Sequence, residues 1–521
     1  MKLSSVGILS CFGSIAVGGA VFAVTPQGGF HARAPADERA STESASASQV
    51  DSNSFKPTST LGSRASSPDR SHTFKAGATL SVEGRLGNPD LLADAPDETY
   101  VMLELKGADD AKGAPAKVAL SLVIDKSGSM RGSRFENAIQ GAVGAVERLR
   151  EGDSVSVVAF DTRAEKVVPL TTITSSSRQT ILDSIRNIRL GGDTCISCGI
   201  ENALVDLKTA GDLDPSVVKR MLVLSDGDTN NGIRDIAGFR SLAERATSNA
   251  VEISTIGVDD QYNERIMSAI AVNANGRHYF VENVADLTRV FDAEANTLTS
   301  TVASQTVADI ELGRGVELVR VFDRSFSRSG SHVTVPLGNF ARGETKTVLL
   351  KVRVPKGTVG LADVANVDVS FKDALEDRDA HVSGALTAAL VQDRGSLEEM
   401  DSVVADRVAR SDTASALREA NSLFSVGKAD EARRVLEAQQ KAVSTLRPTI
   451  KAPDEKRAGL DASLASQEAE LGRAADNLSP TPVASQAPMA TGTATGAPPA
   501  PAPKPSKQVR RSAEQADFLS R

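Results

Sequence analysis

The stretch Val118-Ala-Leu-Ser-Leu-Val-Ile-Asp125 is the most informative part of the chain. It is an almost uninterrupted apolar run that ends in a carboxylate. Three further short runs, residues 154–160, 221–225 and 251–257, have the same apolar or β-branched character. Continuous runs of this kind are typical of strands in a parallel sheet, because both faces of such a sheet are covered.

Helical spacing separates these runs. It is found in residues 133–150, 176–188, 233–249 and 263–272. Regular alternation of strands and helices predicts an α/β fold with a doubly wound, mostly parallel sheet, which we assign to residues 113–300. Ligands of such folds bind beyond the carboxyl ends of the strands, so functional side chains are expected there.

The flanking segments show a different periodicity. Period-two runs such as Lys346-Thr-Val-Leu-Leu-Lys-Val-Arg-Val354 predict a flanking antiparallel β-sandwich, with strands in residues 76–112 and 301–390. If the early and late strands pair with each other, the α/β unit is an insertion in a β domain. Residues 391–478 are rich in Ala, Leu, Glu and Arg and predict a C-terminal α-helical segment, with a hairpin turn inside residues 420–432.

The two ends of the chain carry no pattern of a packed domain. Residues 1–24 contain Lys2 and an apolar run at 6–24, and are interpreted as either a cleaved signal peptide or an N-terminal anchor. Residues 25–75 are predicted to be a disordered linker, and residues 479–521 a disordered tail rich in Pro and Ala. We therefore expect an exported protein, periplasmic or extracellular, that touches the membrane only through residues 6–24.

Composition excludes several classes of function. The 521 residues include 59 Lys and Arg against 67 Asp and Glu, a net charge of -8, so nucleic acid is not an expected partner. Three Cys cannot form a disulfide framework, and five scattered His do not indicate a zinc cluster. The sequence also lacks a phosphate-binding loop and the common hydrolase motifs.

Five oxygen-bearing side chains fall where the predicted fold would bring them to one edge of the sheet. Asp125, Ser127 and Ser129 follow the first strand of the α/β unit, and Gly128 lets that loop turn back on itself. Thr194 follows a helix, and Asp226 ends the next strongly apolar strand. Carboxylate and hydroxyl oxygens are ligands for a hard cation, so these five residues form a candidate metal site. The nearby Asp161, Asp193 and Asp228 are interpreted as loop or supporting residues.

This pattern resembles the metal-ion-dependent adhesion site of the von Willebrand factor type A family, in which D-x-S-x-S is followed by T and then D. The likeness extends through residues 153–160, 225–227 and 254–258 to residues 262–264. Within the family, the chain is most similar to bacterial exported members related to the inter-alpha-trypsin-inhibitor heavy chain and calcium-activated chloride-channel groups.

The resemblance implies a Mg²⁺ site, with Mn²⁺ or Ca²⁺ as alternative ions. Ser127 and Ser129 would bind the ion directly, whereas Asp125, Thr194 and Asp226 would hold it directly or through water. An Asp or Glu carboxylate of a protein partner would complete the coordination. The expected function is non-enzymatic, metal-dependent binding of a protein in the cell envelope. No feature of the sequence indicates an oligomeric state.

Two alternatives belong to other classes. One is a metal-assisted hydrolase that uses the same ion, for which Lys126 and Asp228 are the available general bases. The other is a channel-associated or transport-associated subunit, although one apolar segment cannot line a pore.

Cys195 and Cys198 directly follow Thr194, which departs from the simplest family pattern. In an exported chain the pair is either a short disulfide or two inert thiols. A third interpretation is a redox pair that controls the loop carrying Thr194.

Overall fold

A computed structural model describes residues 71–109, 116–226, 229–258, 263–281, 284–450 and 454–478. The predicted signal peptide or anchor, most of the predicted linker and the predicted Pro/Ala-rich tail lie outside these ranges. The position of Asp228 is also outside them.

The described part of the chain begins with strands of a β domain. They are β1 (Thr73–Ala76), β2 (Leu80–Leu86), β3 (Asp90–Leu92) and β4 (Asp97–Gly107). The position of β1 corrects the predicted linker, which was extended to residue 75. Residues 73–76 pair with β2, and Phe74 packs against the sandwich core, so this end of the linker segment has apolar surface to bury.

The α/β unit follows, and its elements alternate as predicted. Its strands are β5 (Val118–Asp125), β6 (Ser154–Phe160), β7 (Ala164–Thr172), β8 (Val218–Ser225), β9 (Val251–Val258) and β10 (Asn275–Val281). Its helices are α1 (Ser133–Arg148), α2 (Ser175–Arg186), α3 (Ile196–Leu213), α4 (Ile236–Ser248), α5 (Glu264–Asn273) and α6 (Val284–Thr299).

These strands form one sheet in the order β10-β9-β8-β5-β6-β7. All neighbouring strands run parallel except β7, which is antiparallel to β6 at the edge. Alternate residues of β5 enter different cores: Leu122 faces α1, α2 and α6, whereas Val123 faces α3, α4 and α5. The sheet is therefore covered on both faces, and the predicted fold class is confirmed. From β5 the chain adds β6 and β7 on one side, and it then crosses to the other side to form β8, β9 and β10. The order of the strands therefore reverses beside the end of β5.

The β domain resumes after α6. Its later strands are β11 (Thr301–Leu312), β12 (Glu317–Phe322), β13 (Ser327–Ser329), β14 (His332–Ala341), β15 (Thr345–Val354), β16 (Gly360–Asp373) and β17 (Arg378–Val391). Two sheets result, in the orders β1-β2-β4-β15-β12 and β13-β14-β11-β16-β17-β3, and a shared apolar core lies between them. Because β4 pairs with β15 along its whole length, the α/β unit is inserted into the sandwich.

The helical segment consists of α7 (Ser402–Ser425), α8 (Ala429–Leu446) and α9 (Asp454–Asn477). The turn between α7 and α8 falls inside the predicted hairpin. The three helices share a core of Leu and Ala, and α7 packs on the sandwich where Val404 meets Met102, Phe322 and Leu349. Within the described ranges, no helix has the length and apolarity needed to cross a bilayer.

Candidate metal centre

Asp125 ends β5 at the point where the chain reverses direction across the sheet. Its side chain is fully buried (0% exposed). The backbone N–H of Ser127 donates to its Oδ1 over 2.8 Å, and the hydroxyl of Ser225 donates to its Oδ2 over 2.5 Å. Burial raises the pKa of Asp125 to about 7; these hydrogen bonds oppose the rise, and the charge of Asp226 adds to it.

Ser127 and Ser129 lie in the turn that follows β5. Their hydroxyl oxygens are 3.0 Å apart and share a hydrogen bond. A 3₁₀ turn at Gly128–Met130 folds this loop back, and the buried Met130 anchors it. Ser127 is buried and Ser129 is exposed, so their oxygens lie between the end of the sheet and solvent.

The backbone around Thr194 is held by hydrogen bonds to three other parts of the chain. The loop before α3, which carries Thr194, contacts the turn that contains Ser127 and Ser129 (the serine turn), because Gly128 N–H donates to Gly192 O over 2.9 Å. The Thr194 N–H donates to Asn230 Oδ1 over 2.8 Å, and the Asn230 N–H donates back to Thr194 O over 3.1 Å. The next residue is fixed as well, because Cys195 N–H donates to Asp161 O over 2.8 Å.

Asp226 directly follows β8, the strand that pairs with β5 on the side opposite β6. It is only 4% exposed. Its backbone oxygen accepts a hydrogen bond from Asn263 N–H over 3.2 Å. Its carboxylate is close enough to Asp125 to raise the pKa of that residue. The structure thus gathers the predicted residues at one edge of the sheet, on β5, the loop before α3 and the end of β8.

The chemistry of these side chains fits a hard divalent cation. Two carboxylates and three hydroxyls are oxygen donors of the kind that Mg²⁺ and Ca²⁺ prefer, and Mg²⁺ is usually bound through one or two carboxylates. In the residues that the structure describes, no group of three or more His, Cys, Asp or Glu side chains forms an alternative metal cluster. The candidate site combines the two carboxylates with three hydroxyl oxygens, so it is not a cluster of acidic or thiol side chains alone.

The neighbouring charged residues have supporting positions. Asp161 Oδ2 accepts a hydrogen bond from Gly192 N–H over 3.3 Å, which steadies the Thr194 loop. Lys126 Nζ lies 2.9 Å from Glu165 Oε2 and 3.5 Å from Asp161 Oδ2. Asp193 is exposed, and Asn231 Nδ2 donates to its Oδ2 over 3.4 Å.

Cys195 and Cys198 are joined by a disulfide, with their Cα atoms 5.3 Å apart. Cys195 is the N-cap residue of α3, and Cys198 lies in the first turn of that helix. The bridge therefore closes the helix turn that directly follows Thr194.

Sequence reasoning missed Ser225 and Asn230. Ser225 precedes Asp226 and belongs to the stretch 225–227 that carries the family resemblance, but nothing in the sequence indicated its hydrogen bond to Asp125. Asn230 lies 36 residues from its partner Thr194, and no local pattern marks it.

Comparison with known proteins gives consistent results. The profile of the von Willebrand factor type A domain matches residues 120–293. An uncharacterised protein of Synechocystis sp., sll0103, is 24% identical over 301 residues, which are 55% of this chain and 70% of that protein. Escherichia coli YfbK, also uncharacterised, is 28% identical over 225 residues, which are 42% of this chain and 38% of YfbK. Human inter-alpha-trypsin inhibitor heavy chain H1 is 22% identical over 194 residues, which are 36% of this chain but only 21% of the human protein.

Two solved structures share the fold over most of the chain. A von Willebrand factor type A protein from Catenulispora acidiphila aligns with a TM-score of 0.61 at 17% identity, covering 78% of this chain and 91% of that one. The ArnB paralog VWA2 from Sulfolobus acidocaldarius aligns with a TM-score of 0.50 at 18% identity, covering 75% of this chain and 97% of that one. At these identities the alignments show a common fold.

Proposed function

We propose that this chain, which contains a von Willebrand factor type A domain at residues 120–293, captures a protein partner through a divalent cation. Domains of this family typically mediate protein–protein interaction and commonly bind a divalent metal. The finer proposal concerns the ion, the residues that hold it and the chemistry of the partner.

One observation carries the proposal: two carboxylates, Asp125 and Asp226, are buried close together at the ends of adjacent strands. Burial of a charged group is unfavourable unless an opposite charge or hydrogen bonds compensate for it. The hydrogen bonds to Asp125 come from a backbone N–H and a hydroxyl, and neither brings a positive charge. A cation at this position would compensate for both carboxylates.

Asp125, Ser127, Ser129, Thr194 and Asp226 are the residues that would hold the ion, and we propose Mg²⁺, with Mn²⁺ or Ca²⁺ as substitutes. When bound, the ion would supply an electrophilic position for an Asp or Glu carboxylate of the partner. The chain itself contributes a preformed loop, because Gly128 and Gly192 already join the serine turn to the Thr194 loop.

The proposed function is non-enzymatic. Lys126 is a candidate general base from the sequence, but it is paired with Glu165 and Asp161. Burial lowers the pKa of Lys126, and these two carboxylates more than offset that effect, so its pKa is raised. A lysine held in its protonated form cannot accept a proton from water, which argues against metal-assisted hydrolysis through this residue.

We also propose that the protein acts outside the cytoplasm, on the basis of the apolar run at residues 6–24. In that setting the sandwich and the helices α7–α9 would serve as a platform that presents the metal centre to another envelope protein.

The test is calorimetric titration of Mg²⁺ into the full-length chain at neutral pH. In a second titration, the binding of a fluorescent Glu-containing peptide is compared with that of a matched peptide in which Gln replaces Glu. We expect saturable Mg²⁺ binding that Asp125→Ala abolishes, and peptide binding that requires both Mg²⁺ and the Glu carboxylate. Absence of Mg²⁺, Mn²⁺ and Ca²⁺ binding to the unaltered chain, with and without peptide, would refute the proposal.

A further inference from the structure

The Cys195–Cys198 disulfide lies between the two loops that complete the metal centre. On one side, Cys195 directly follows Thr194. On the other side is the loop after β8, which carries Asn230 and Gly232. Cys195 is only 1% exposed, so its sulfur is packed inside the protein in this region.

The contact with the second loop is close. A Cβ atom built on Gly232 would lie 2.7 Å from Cys195 Sγ and 2.3 Å from Ser197 Oγ. Gly232 has a φ of +70°, a conformation that glycine adopts readily. The hydroxyl of Ser197, between the two cysteines, accepts a hydrogen bond from Ile233 N–H over 3.0 Å. The closed turn 195–198 therefore supports residues 232 and 233 directly.

The same loop holds Thr194. The N–H groups of Asn230 and Asn231 donate to Thr194 O over 3.1 and 3.0 Å, and Thr229 Oγ1 donates to the same oxygen over 3.2 Å. Movement of Cys195 Sγ can thus displace Thr194 in two ways. Cys195 is bonded to Thr194 through one peptide bond, and the loop that packs on the sulfur also donates hydrogen bonds to Thr194 O.

We infer that this disulfide is a redox control of the metal centre: closed, it holds Thr194 in its binding position, and opened by a dithiol reductant, it lets Thr194 shift and weakens cation binding. The inference rests on the proposed function, because it concerns regulation of that same site. Residues that orient metal ligands typically change metal affinity by about 10-fold to 100-fold when they are lost.

The chemistry is ordinary thiol–disulfide exchange. A thiolate of the reductant attacks a sulfur of the bridge, and the part-exposed Cys198 is the accessible one, since Cys195 is buried. The S–S bond of the protein breaks, and a mixed disulfide forms between Cys198 and the reductant. The second thiol of the reductant then releases Cys198. In total the bridge takes up two electrons and two protons, and the dithiol becomes a disulfide.

The two released sulfurs cannot both keep the positions that they have in the bridge. Two sulfur atoms that are no longer bonded must separate to van der Waals contact, and Cys195 Sγ already lies against Gly232. We expect the sulfur of Cys195 to move and to displace the loop after β8, whose Asn230 and Asn231 N–H groups donate to Thr194 O.

The experiment is a Mn²⁺ titration, by calorimetry, of the full-length chain carrying Cys11→Ser, so that only these two sulfurs respond. The oxidised chain is compared with the chain reduced by dithiothreitol, which is removed without air before the titration, and free thiols are counted in each sample. A variant with Cys195→Ala and Cys198→Ala serves as a permanently open form. Circular dichroism checks that all samples are folded.

We expect about tenfold weaker Mn²⁺ binding in the reduced chain and in the double variant, with no effect of reductant on the double variant. Equal affinity in oxidised and reduced chains would overturn the inference while leaving the proposed function standing, as would a double variant that binds as tightly as the oxidised chain. A disulfide that stays closed in the folded chain under this reductant would also overturn it. Failure of the oxidised chain to bind any Mn²⁺ would instead refute the metal centre, and its redox control with it.

Discussion

Asp125 and Asp226 present a conflict between stability and binding at the scale of single residues. Both are buried, and the charge of Asp226 adds to the rise that burial causes in the pKa of Asp125. A pair of neighbouring buried carboxylates destabilises the fold in the absence of a cation. Such a feature is expected at a site that is maintained for binding.

Asp226→Asn should therefore weaken Mg²⁺ binding without lowering the stability of the metal-free chain. Mg²⁺ binding should be lost, because a charged ligand is removed. The melting temperature in a chelating buffer should stay the same or rise, because one of the two repelling charges is gone. Calorimetry and thermal denaturation of the same samples measure the two effects.

Asp193→Asn is the matched control. It removes one carboxylate from the neighbouring loop, but Asp193 is exposed and is not among the candidate ligands. Its Mg²⁺ affinity should stay close to that of the unaltered chain. Loss of binding in this variant together with retention in Asp226→Asn would show that the ligands are assigned wrongly.

Asn230 and Asn231 give a second prediction. Both donate backbone N–H groups to Thr194 O, but only the side chain of Asn230 accepts from Thr194 N–H. Asn230→Ala should therefore weaken Mn²⁺ binding by about tenfold, and Asn231→Ala should leave it nearly unchanged. Titration of both variants checks this difference, and equal effects would contradict a positioning role for the Asn230 side chain.

The sequence was sufficient to propose the five oxygen donors, because their order along the chain and the ends of the strands can both be read locally. It did not identify Ser225 or Asn230, whose roles depend on contacts across 100 and 36 residues. The donors stand in a recognisable order at or near the ends of predicted elements, whereas the contact of Asn230 with Thr194 arises only from tertiary packing.

At the scale of elements, α1 and α6 approach each other closely at Gly141. A Cβ at this position would lie 2.2 Å from Phe291 Cε2 and 2.8 Å from Leu287 Cδ2, both buried side chains of α6. Glycine is therefore favoured here for packing, although it is a weak helix former.

Gly141→Ala should lower the free energy of unfolding by about 1–3 kcal/mol, because overpacking outweighs the gain in helix propensity. Gly144→Ala on the same helix is the control. Its Cβ would meet only the flexible end of Arg148, at 3.0 Å, so this change should be neutral or stabilising by up to about 1 kcal/mol. Urea denaturation of both variants measures the difference, and equal destabilisation would contradict the packing argument.

In the α/β unit, periodicity predicted strands that correspond to β5, β6, β8 and β9, but not β7, and it predicted four of the six helices; β5 and β6 have the predicted bounds. The sequence did not single out α3 or α6. In α3 the cause is visible: Gly199 and Gly211 interrupt the pattern, and a Cβ on Gly199 would lie 2.7 Å from the ring of Phe160. This glycine serves the contact between helix and sheet at the expense of helix propensity.

At the scale of the whole molecule, buried and part-buried charges join the α/β unit to the sandwich. Glu252 on β9 pairs with Arg220 on β8 over 2.6 Å, and it accepts a hydrogen bond from Asn339 N–H on β14 over 2.7 Å. Arg277 on β10 pairs with Glu344, which lies between β14 and β15, over 2.9 Å. These contacts link parts of the chain that are far apart in sequence, so composition and periodicity could not predict them.

Glu344 gives a pH prediction. Burial raises its pKa, but the charges of Lys346 and Arg277 outweigh that effect and lower it to about 2, from an ordinary value of 4.5. A carboxylate with a lowered pKa stabilises the fold above its unfolded pKa, and this contribution is lost as the pH falls from about 4.5 towards 2. Glu344→Gln should therefore lose less stability than the unaltered chain over this interval.

Urea midpoints at pH 7, 4, 3 and 2.5 measure this effect. Glu311→Gln, an exposed position on β11, is the control and should follow the unaltered chain. Parallel pH curves for the unaltered chain and Glu344→Gln would contradict the account of the junction between the two domains.

The most direct test of the central claim is anomalous diffraction from crystals of the chain grown with Mn²⁺. The account predicts one strong anomalous peak in contact with the hydroxyl oxygens of Ser127 and Ser129, beside Asp125, Thr194 and Asp226. An ordered site without a peak at saturating Mn²⁺, or a peak only at another place, would contradict it.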